Sequence, residues 1–177
     1  MMQSRIYLRA LEPDDYKISI HWRKNERIWS MVGGVHYYVS EAYEKQWVEK
    51  KIFDPKPNEI ILAVCLAGND QYIGNIYLTD VDYINRHAQF HILLGDESVW
   101  GKGYGVEATS LMLNYGFNER NLHRIYSQVL TSNTASMKMH KTCGFVQEGV
   151  KRQAVYKNGK YHDVAMMGII VNEYGKK

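Results

Sequence analysis

The sequence contains little cysteine, little proline and no long apolar run. Two cysteines among 177 residues are too few for a disulfide framework, so we predict a reducing, cytoplasmic setting. The N-terminal residues MMQSRIYLR include no long apolar segment, and the sequence therefore predicts neither a signal peptide nor a membrane span. Basic residues form no extended run and the net charge is only +3, which does not favour nucleic-acid binding. Repeats, linkers and low-complexity tracts are also missing, so residues 1–177 are expected to form a single domain.

Hydrophobic periodicity and turn residues predict an α/β fold. A helix separates Arg86–Leu94 from Arg124–Leu130, so these two strands should be parallel, within a mixed central sheet flanked by helices. The remaining predicted strands are Arg5–Leu11, Glu59–Ala67, Tyr72–Val81, Phe145–Tyr156 and Lys160–Val171, and the predicted helices are Pro13 to about Asn25, Glu41–Phe53, Gly103–Asn118 and Thr134–Thr142.

Two local features frame the least regular part of the chain. Ser40 is a good N-cap for the helix Glu41–Phe53, in which Tyr43, Trp47 and Ile52 form an apolar stripe that we expect to face the core. The preceding stretch, Glu26–Val39, has no clean period and is expected to be a loop that can hold a short helix.

The segment Val99–Thr109, VWGKGYGVEAT, predicts an anion site. Gly101, Gly103 and Gly105 allow the backbone to approach a ligand closely. The helix that follows adds unpaired N–H groups and the positive end of its dipole. These features together favour a phosphate ligand.

Two common phosphate motifs fit this segment poorly. A P-loop requires Ser or Thr after its Gly-Lys pair, and here Gly103 follows Lys102. The spacing from Gly103 to Ala108 formally matches a dinucleotide loop, but the expected ribose-binding acid is absent from the next strand, Arg124–Leu130. A glycine-rich turn without a ligand remains an alternative.

Three segments, taken together and in order, resemble the GNAT N-acetyltransferases. Trp100–Gly105 resembles the acetyl-CoA pyrophosphate loop Q/R-x-x-G-x-G/A. Asn133–Ser136 with Gly144-Phe145 resembles the family's N-x-x-S/A…G-F segment. LRALEPDD with HWRKNE resembles the opening of the branch that holds ribosomal-protein N-terminal acetyltransferases and spermidine acetyltransferases. This resemblance covers essentially the whole chain and implies a single-domain GNAT fold with splayed parallel strands.

The resemblance implies acetyl-CoA as the donor, with its pantetheine arm lying between the splayed strands. Trp100 departs from the usual Gln or Arg of the family loop, although this branch commonly reads W-G-K-G-Y. Asn133 is equally suited to cap its helix. Lys102, Lys138 and Lys141 could contact the phosphates and are equally suited to solvent. The cofactor-binding residues implied are Ile92, Leu93, Leu94, Trp100, Gly101, Lys102, Gly103, Tyr104, Gly105, Asn133, Ser136 and Lys141.

The resemblance also implies direct acetyl transfer to a primary amine of a polyamine, an amino sugar or a protein N-terminus. His140 occupies the position of the family's tyrosine acid and is our first candidate for that role, with Tyr104 and Tyr126 as fallbacks. A histidine that lies at the surface or only packs against the cofactor is the alternative. The family's strand glutamate is replaced by Gln89, which cannot accept a proton. His91 faces the same side of the strand two residues on and is therefore the candidate base.

The acceptor site is expected near the loop Glu26–Val39, as an aromatic and acidic pocket suited to a cationic amine. Ordinary helix packing is the alternative for these residues, and a catalytically idle acyl-CoA-binding module is the alternative for the whole protein. A homo-oligomer is compatible with the sequence. His87 and His91 lie too far apart along a strand to share a metal ion, so we predict no metal site. The predicted acceptor residues are Glu26, Trp29, Tyr37, Tyr38 and Glu41.

Overall fold

The computed structural model describes residues 4–34 and 36–175. In this part of the chain a mixed sheet has the strand order β1-β2-β3-β4-β5-β7-β6. The strands are β1 (Ile6–Arg9), β2 (Ile60–Leu66), β3 (Tyr72–Asp82), β4 (His87–Leu94), β5 (Arg124–Leu130), β6 (Val146–Lys157) and β7 (Lys160–Ile170). The helices are α1 (Tyr16–Arg23), α2 (Glu26–Met31), α3 (Glu41–Phe53), α4 (Tyr104–Asn114) and α5 (Thr134–Thr142), with short 3₁₀ turns at Pro13–Asp15 and Glu97–Val99 and a π-helical turn at Tyr115–Glu119.

The predicted order of elements is confirmed. The stretch expected to be a loop contains the short helix α2, because the side chain of Asn25 accepts hydrogen bonds from the backbone N–H groups of Arg27 and Ile28 at 2.9 and 3.3 Å. Val35, which belongs to the same stretch, lies outside the described residues.

The inward face of α3 matches the predicted apolar stripe at Trp47 and Ile52 but not at Tyr43. Ser40 caps the helix as expected, accepting from the N–H of Tyr43 at 3.1 Å. Tyr43 itself is 59% exposed, however, whereas Val48 and the carboxylate of Glu44 are buried. Glu44 can be buried because Ser19 Oγ and Arg23 Nε donate to its two oxygens at 2.6 and 2.9 Å. The ion pair between α1 and α3 thus adds a buried polar contact to this face, and Trp47 and Ile52 of the predicted stripe pack against buried core residues.

The sheet separates two hydrophobic cores. The larger core packs one face against α4 and α5, and the smaller core joins the other face to α1 and α2. Side chains along β4 alternate between these faces. Phe90 belongs to the larger core, so Gln89 and His91 lie on the opposite face.

Strands β4 and β5 are parallel and diverge along their length. They pair at three positions, of which the last is Gln89 with Tyr126. The segments that follow, Phe90–Leu94 and Ser127–Leu130, form no pairs with each other. The predicted splayed parallel strands are thus present, and the edge of β4 that faces β5 is open beyond Gln89.

Candidate active site

The glycine loop adopts a backbone suited to an anion. Gly101 and Gly103 have φ values of +75° and +88°, in the left-handed region that favours glycine. Gly103 is the N-cap of α4, and its carbonyl oxygen accepts from the N–H groups of Val106 and Glu107 at 3.0 and 3.2 Å. Within the described chain, no backbone hydrogen bond engages the N–H groups of residues 101–105. These donors and the start of α4 fit a pyrophosphate.

A cleft of about 390 Å³ leads from this loop to the splayed strands, within the size range of small-molecule sites. Residues of α2 and α5, among them Met31, Val32 and Met139, form its side walls. The structure therefore brings together most of the predicted cofactor residues. Those that line the cleft are Ile92, Leu93, Leu94, Trp100, Gly101, Gly103, Tyr104, Gly105, Asn133 and Ser136.

Trp100 holds the glycine loop against the end of β4. Its indole N–H donates to the carbonyl oxygen of Leu94 at 2.9 Å, and the guanidinium of Arg27 lies 5.3 Å from the ring centroid. The tryptophan that departs from the family pattern therefore has a role in shaping the loop.

Of the three lysines that could contact the phosphates, Lys102 and Lys141 lie outside the main cleft. Lys102 is exposed, and its carbonyl oxygen accepts from Arg5 Nη2 at 3.1 Å. Lys141 lines a neighbouring groove on α5. Lys138, one turn earlier, lines both the groove and the cleft and is thus better placed to approach a phosphate.

Asn133 uses both ends of its side-chain amide within the protein. Its oxygen accepts from the N–H of Ser136 at 3.0 Å and so caps α5, as the helix-cap alternative predicts. Its Nδ2 donates to the carbonyl oxygen of Met31 at 2.9 Å. Asn133 therefore connects α5 to α2 across the cleft that it lines.

Lys157 makes a second set of hydrogen bonds to the end of α2, which the sequence did not predict. Its side chain is almost fully buried, and its ammonium donates to the carbonyl oxygens of Trp29 and Val32. Burial lowers the pKa of this ammonium. No local pattern signals the contact, because Lys157 and Trp29 are 128 residues apart in sequence.

His91 lies on the face of the sheet opposite α4 and α5. Its Nε2 is 3.0 Å from the Thr79 hydroxyl, and Tyr77 contacts the ring edge-on with centroids 6.4 Å apart. Partial removal of water lowers the pKa of the imidazole below its ordinary value of 6.5. A neutral imidazole at neutral pH can accept a proton, which fits the predicted role of a base.

His140, the predicted acid, is in the core. Its side chain is only 2% exposed and packs between Phe90 and Phe145, with ring centroids 5.7 and 4.9 Å away. Its Nδ1 donates to the carbonyl oxygen of Ser136 at 2.8 Å, which leaves Nε2 without a proton, and burial lowers the pKa of the ring. In this arrangement the neutral His140 ring has no proton to donate to the cleft, which argues against the sequence-based choice of acid.

The predicted acceptor residues are only partly brought together. Glu26, Tyr37 and Tyr38 line a small pocket with Arg23 and Lys24, so its walls are not predominantly acidic. No residue of β4 or β5 is part of this pocket within the described chain, so it does not extend to His91. Trp29 stacks on His36 at 5.8 Å, and Glu41 lies exposed in the first turn of α3; neither lines the pocket.

Comparisons with known proteins identify the family. The family profile described as acetyltransferase (GNAT) domain matches residues 5–146. The chain belongs to the GNAT acetyltransferases. A GNAT enzyme of this kind is an acetyl-CoA-dependent N-acetyltransferase acting on an amine, so the predicted fold class, donor and enzyme class are confirmed.

Curated relatives match over nearly the full GNAT chain. A spermidine N(1)-acetyltransferase of Vibrio cholerae is 31% identical, covering 98% of this chain and 97% of the relative. The probable N-acetyltransferase YjcK of Bacillus subtilis is 30% identical, covering 93% of each. The crystal structure of spermidine N-acetyltransferase from Vibrio cholerae in complex with CoA and spermine superposes with a TM-score of 0.87 at 31% identity, covering 97% of this chain and 99% of that one.

No group of three or more His, Cys, Asp or Glu side chains within residues 4–34 and 36–175 is arranged to hold a metal ion. In the same residues, no helix has both the length and the apolar character needed to cross a membrane.

Proposed function

We propose that this protein acetylates the primary amine of a small molecule, with a linear polyamine as the first candidate acceptor. Relatives of similar length include spermidine acetyltransferases, and one related structure holds CoA with spermine. The observation that carries the proposal is that one strand, β4, supplies both a wall of the cofactor cleft and the candidate base. Its residues 92–94 line the cofactor cleft, and His91 immediately precedes them, on the same face of the strand as Leu93.

Acetyl-CoA supplies an activated thioester, and the protein must prepare the amine and the leaving group. An alkylamine with a pKa of about 10.4 is mostly protonated at neutral pH. His91 is proposed to remove that proton, since Gln89 cannot. A positioned base contributes roughly 10²–10⁴-fold to the rate.

The open edge of β4 is proposed to stabilise the developing oxyanion. Because β5 no longer pairs with β4 beyond Gln89, backbone N–H groups among Ile92–Leu94 that point away from β3 can donate into the cleft. No acyl-enzyme is required. Cys143, whose thiol contacts the carbonyl oxygen of Val106 at 3.7 Å, is proposed to be structural.

Tyr126 is proposed as the acid that protonates the leaving thiolate. It forms the last pair with Gln89 before the strands separate, and its ring contacts that of His87 with centroids 5.9 Å apart. Burial, and then the nearby charge of Asp80, raises the pKa of this phenol above 10, which keeps it protonated. Tyr126 thus holds a proton under conditions in which His140 Nε2 does not.

A panel of acceptors tests the substrate class. Release of CoA thiol from acetyl-CoA would be measured with spermidine, spermine, glucosamine and peptides with free N-termini. We expect turnover with the polyamines and little with the peptides. Turnover confined to glucosamine or the peptides would contradict the polyamine proposal, and absence of turnover with every amine would contradict the small-molecule amine proposal.

We also propose a cellular location, a domain organisation and an oligomeric state for this protein. The protein is proposed to act in the cytoplasm, with residues 1–177 as one domain. It is also proposed to form a homo-oligomer, since Val146 and Val150 are exposed on the edge strand β6. Sedimentation velocity of the full chain tests the oligomer, and a monomer at micromolar concentration would contradict it.

A further inference from the structure

Asp80 stands apart from the other carboxylates around the face of the sheet that carries His91. Within the residues that the structure describes, its side chain makes no hydrogen bond or ion pair. The neighbouring carboxylates are all satisfied: Glu44 by Arg23, Glu59 by Lys51, Glu148 by Arg124, and Asp82 by the backbone N–H groups of Ile84 and Asn85. Asp80 is also exposed, so its charge is available to a ligand.

The backbone places Asp80 one residue from the last row in which β4 and β5 still pair. Thr79 pairs with Gln89, and Gln89 pairs on its other side with Tyr126, which forms a row across three strands. Pairing between β3 and β4 is irregular between Thr79 and Asp82, and Asp80 has a φ of +50°. A β-bulge of this kind redirects a side chain at the edge of a site.

Electrostatics show that Asp80 acts on both neighbours. Burial lowers the pKa of the His91 imidazole and raises that of the Tyr126 phenol, and the negative charge of Asp80 opposes the first shift and adds to the second. Tyr77, the other titratable group in contact with the His91 ring, has a pKa raised to about 12 by burial and stays uncharged. Asp80 is therefore the charged group that acts on His91 from β3.

We infer that Asp80 binds the ammonium group of the acceptor beside His91, within a site formed by β3, β4 and β5. This inference rests on the proposed function and adds the residue that recognises the charge of the substrate. The ammonium transfers one proton to the imidazole, giving a neutral amine and an imidazolium. Asp80 then stabilises the imidazolium, so the negative charge is useful before and after the transfer.

The test compares Asp80→Asn with Asp70→Asn. Asp70 is a matched control, because it is also an exposed aspartate with positive φ, +57°, but lies in the turn at the other end of β3. Two quantities would be measured for each variant. The first is the KM for the best acceptor of the panel together with kcat and the dissociation constant of acetyl-CoA. The second is calorimetric binding of that amine, or of spermidine if none is acetylated, to the CoA-bound protein.

Loss of a charge-assisted hydrogen bond should weaken amine binding by about tenfold or more. We expect this loss of amine binding in Asp80→Asn, whose affinity for acetyl-CoA should stay within twofold of that of the original protein. In Asp70→Asn, amine binding and acetyl-CoA affinity should both be unchanged. Equal amine binding by both variants, or no measurable binding to the original protein, would overturn the inference. A protein that binds amine through Asp80 without acetylating it would refute the proposed function and leave the Asp80 site supported.

Discussion

The side-chain amide of Asn133 donates to the carbonyl oxygen of Met31 at 2.9 Å and, through its oxygen, caps α5. Met31 and Asn133 lie 102 residues apart in sequence and both line the cofactor cleft. The contact therefore joins two walls of the cleft that are far apart in sequence. Lys157 reinforces the same end of α2 through the carbonyl oxygens of Trp29 and Val32.

Replacing Asn133 by Ala should weaken both stability and cofactor binding. Loss of an N-cap costs about 1 kcal/mol, and the unpaired carbonyl oxygen of Met31 adds a further cost of about 1 kcal/mol. Ser40→Ala removes a cap of α3 without a second contact, and it is the control. We expect urea unfolding to show a larger loss for Asn133→Ala, with a raised dissociation constant for acetyl-CoA in that variant alone. Equal losses would show that the Met31 contact contributes nothing.

Replacing Gly103 by Ala should impair the anion site. Its φ of +88° is unfavourable for alanine, and a Cβ there would meet Arg5 Nη2 at 3.3 Å. Strain of about 1–2 kcal/mol would shift the loop and weaken acetyl-CoA binding by about tenfold. Gly68→Ala is a suitable control, because that turn glycine has no atom within 4 Å of its Cβ position. Unchanged CoA affinity in Gly103→Ala would argue against this loop as the pyrophosphate site.

Replacing Tyr126 and His140 separately by Phe distinguishes the two candidate acids. Because His140 is buried with its proton on Nδ1, we expect His140→Phe to keep kcat within about threefold once the variant is shown to be folded. Tyr126→Phe should lower kcat by about 10²-fold, the contribution of a positioned acid. Single-turnover measurements with saturating acetyl-CoA provide the comparison. A larger loss of kcat in His140→Phe than in Tyr126→Phe would indicate that His140 is the acid.

The pH dependence of kcat/KM should report His91. The pKa of this imidazole is lowered below 6.5, so the base is neutral at pH 7 and becomes protonated only as the pH falls through its lowered pKa. Activity should therefore be retained down to about pH 6.5 and lost at lower pH. His91→Gln should abolish this acidic limb and reduce kcat/KM at pH 7. An unchanged limb in His91→Gln would assign the titration to another group.

Local sequence patterns predicted the secondary structure and the anion loop well. Helix α5 and strand β5 have the predicted bounds, and Ser40 caps α3 as expected. Caps, turns and glycine conformations depend on a few adjacent residues, so they can be recognised in the sequence. The parallel pairing of β4 with β5 followed from the helix between them, because connections of this kind are strongly constrained.

The sequence alone determined the order of the elements, the glycine cradle and the family resemblance, since each depends on residues close together along the chain. Only the tertiary structure decided which side chains meet at the site. It directed His140 into the core, left Tyr43 exposed while Glu44 is buried with Arg23, and placed Asp80 one residue from the row formed by Thr79, Gln89 and Tyr126. Such outcomes depend on packing, ion pairs and strand register between distant segments, and no local pattern contains them.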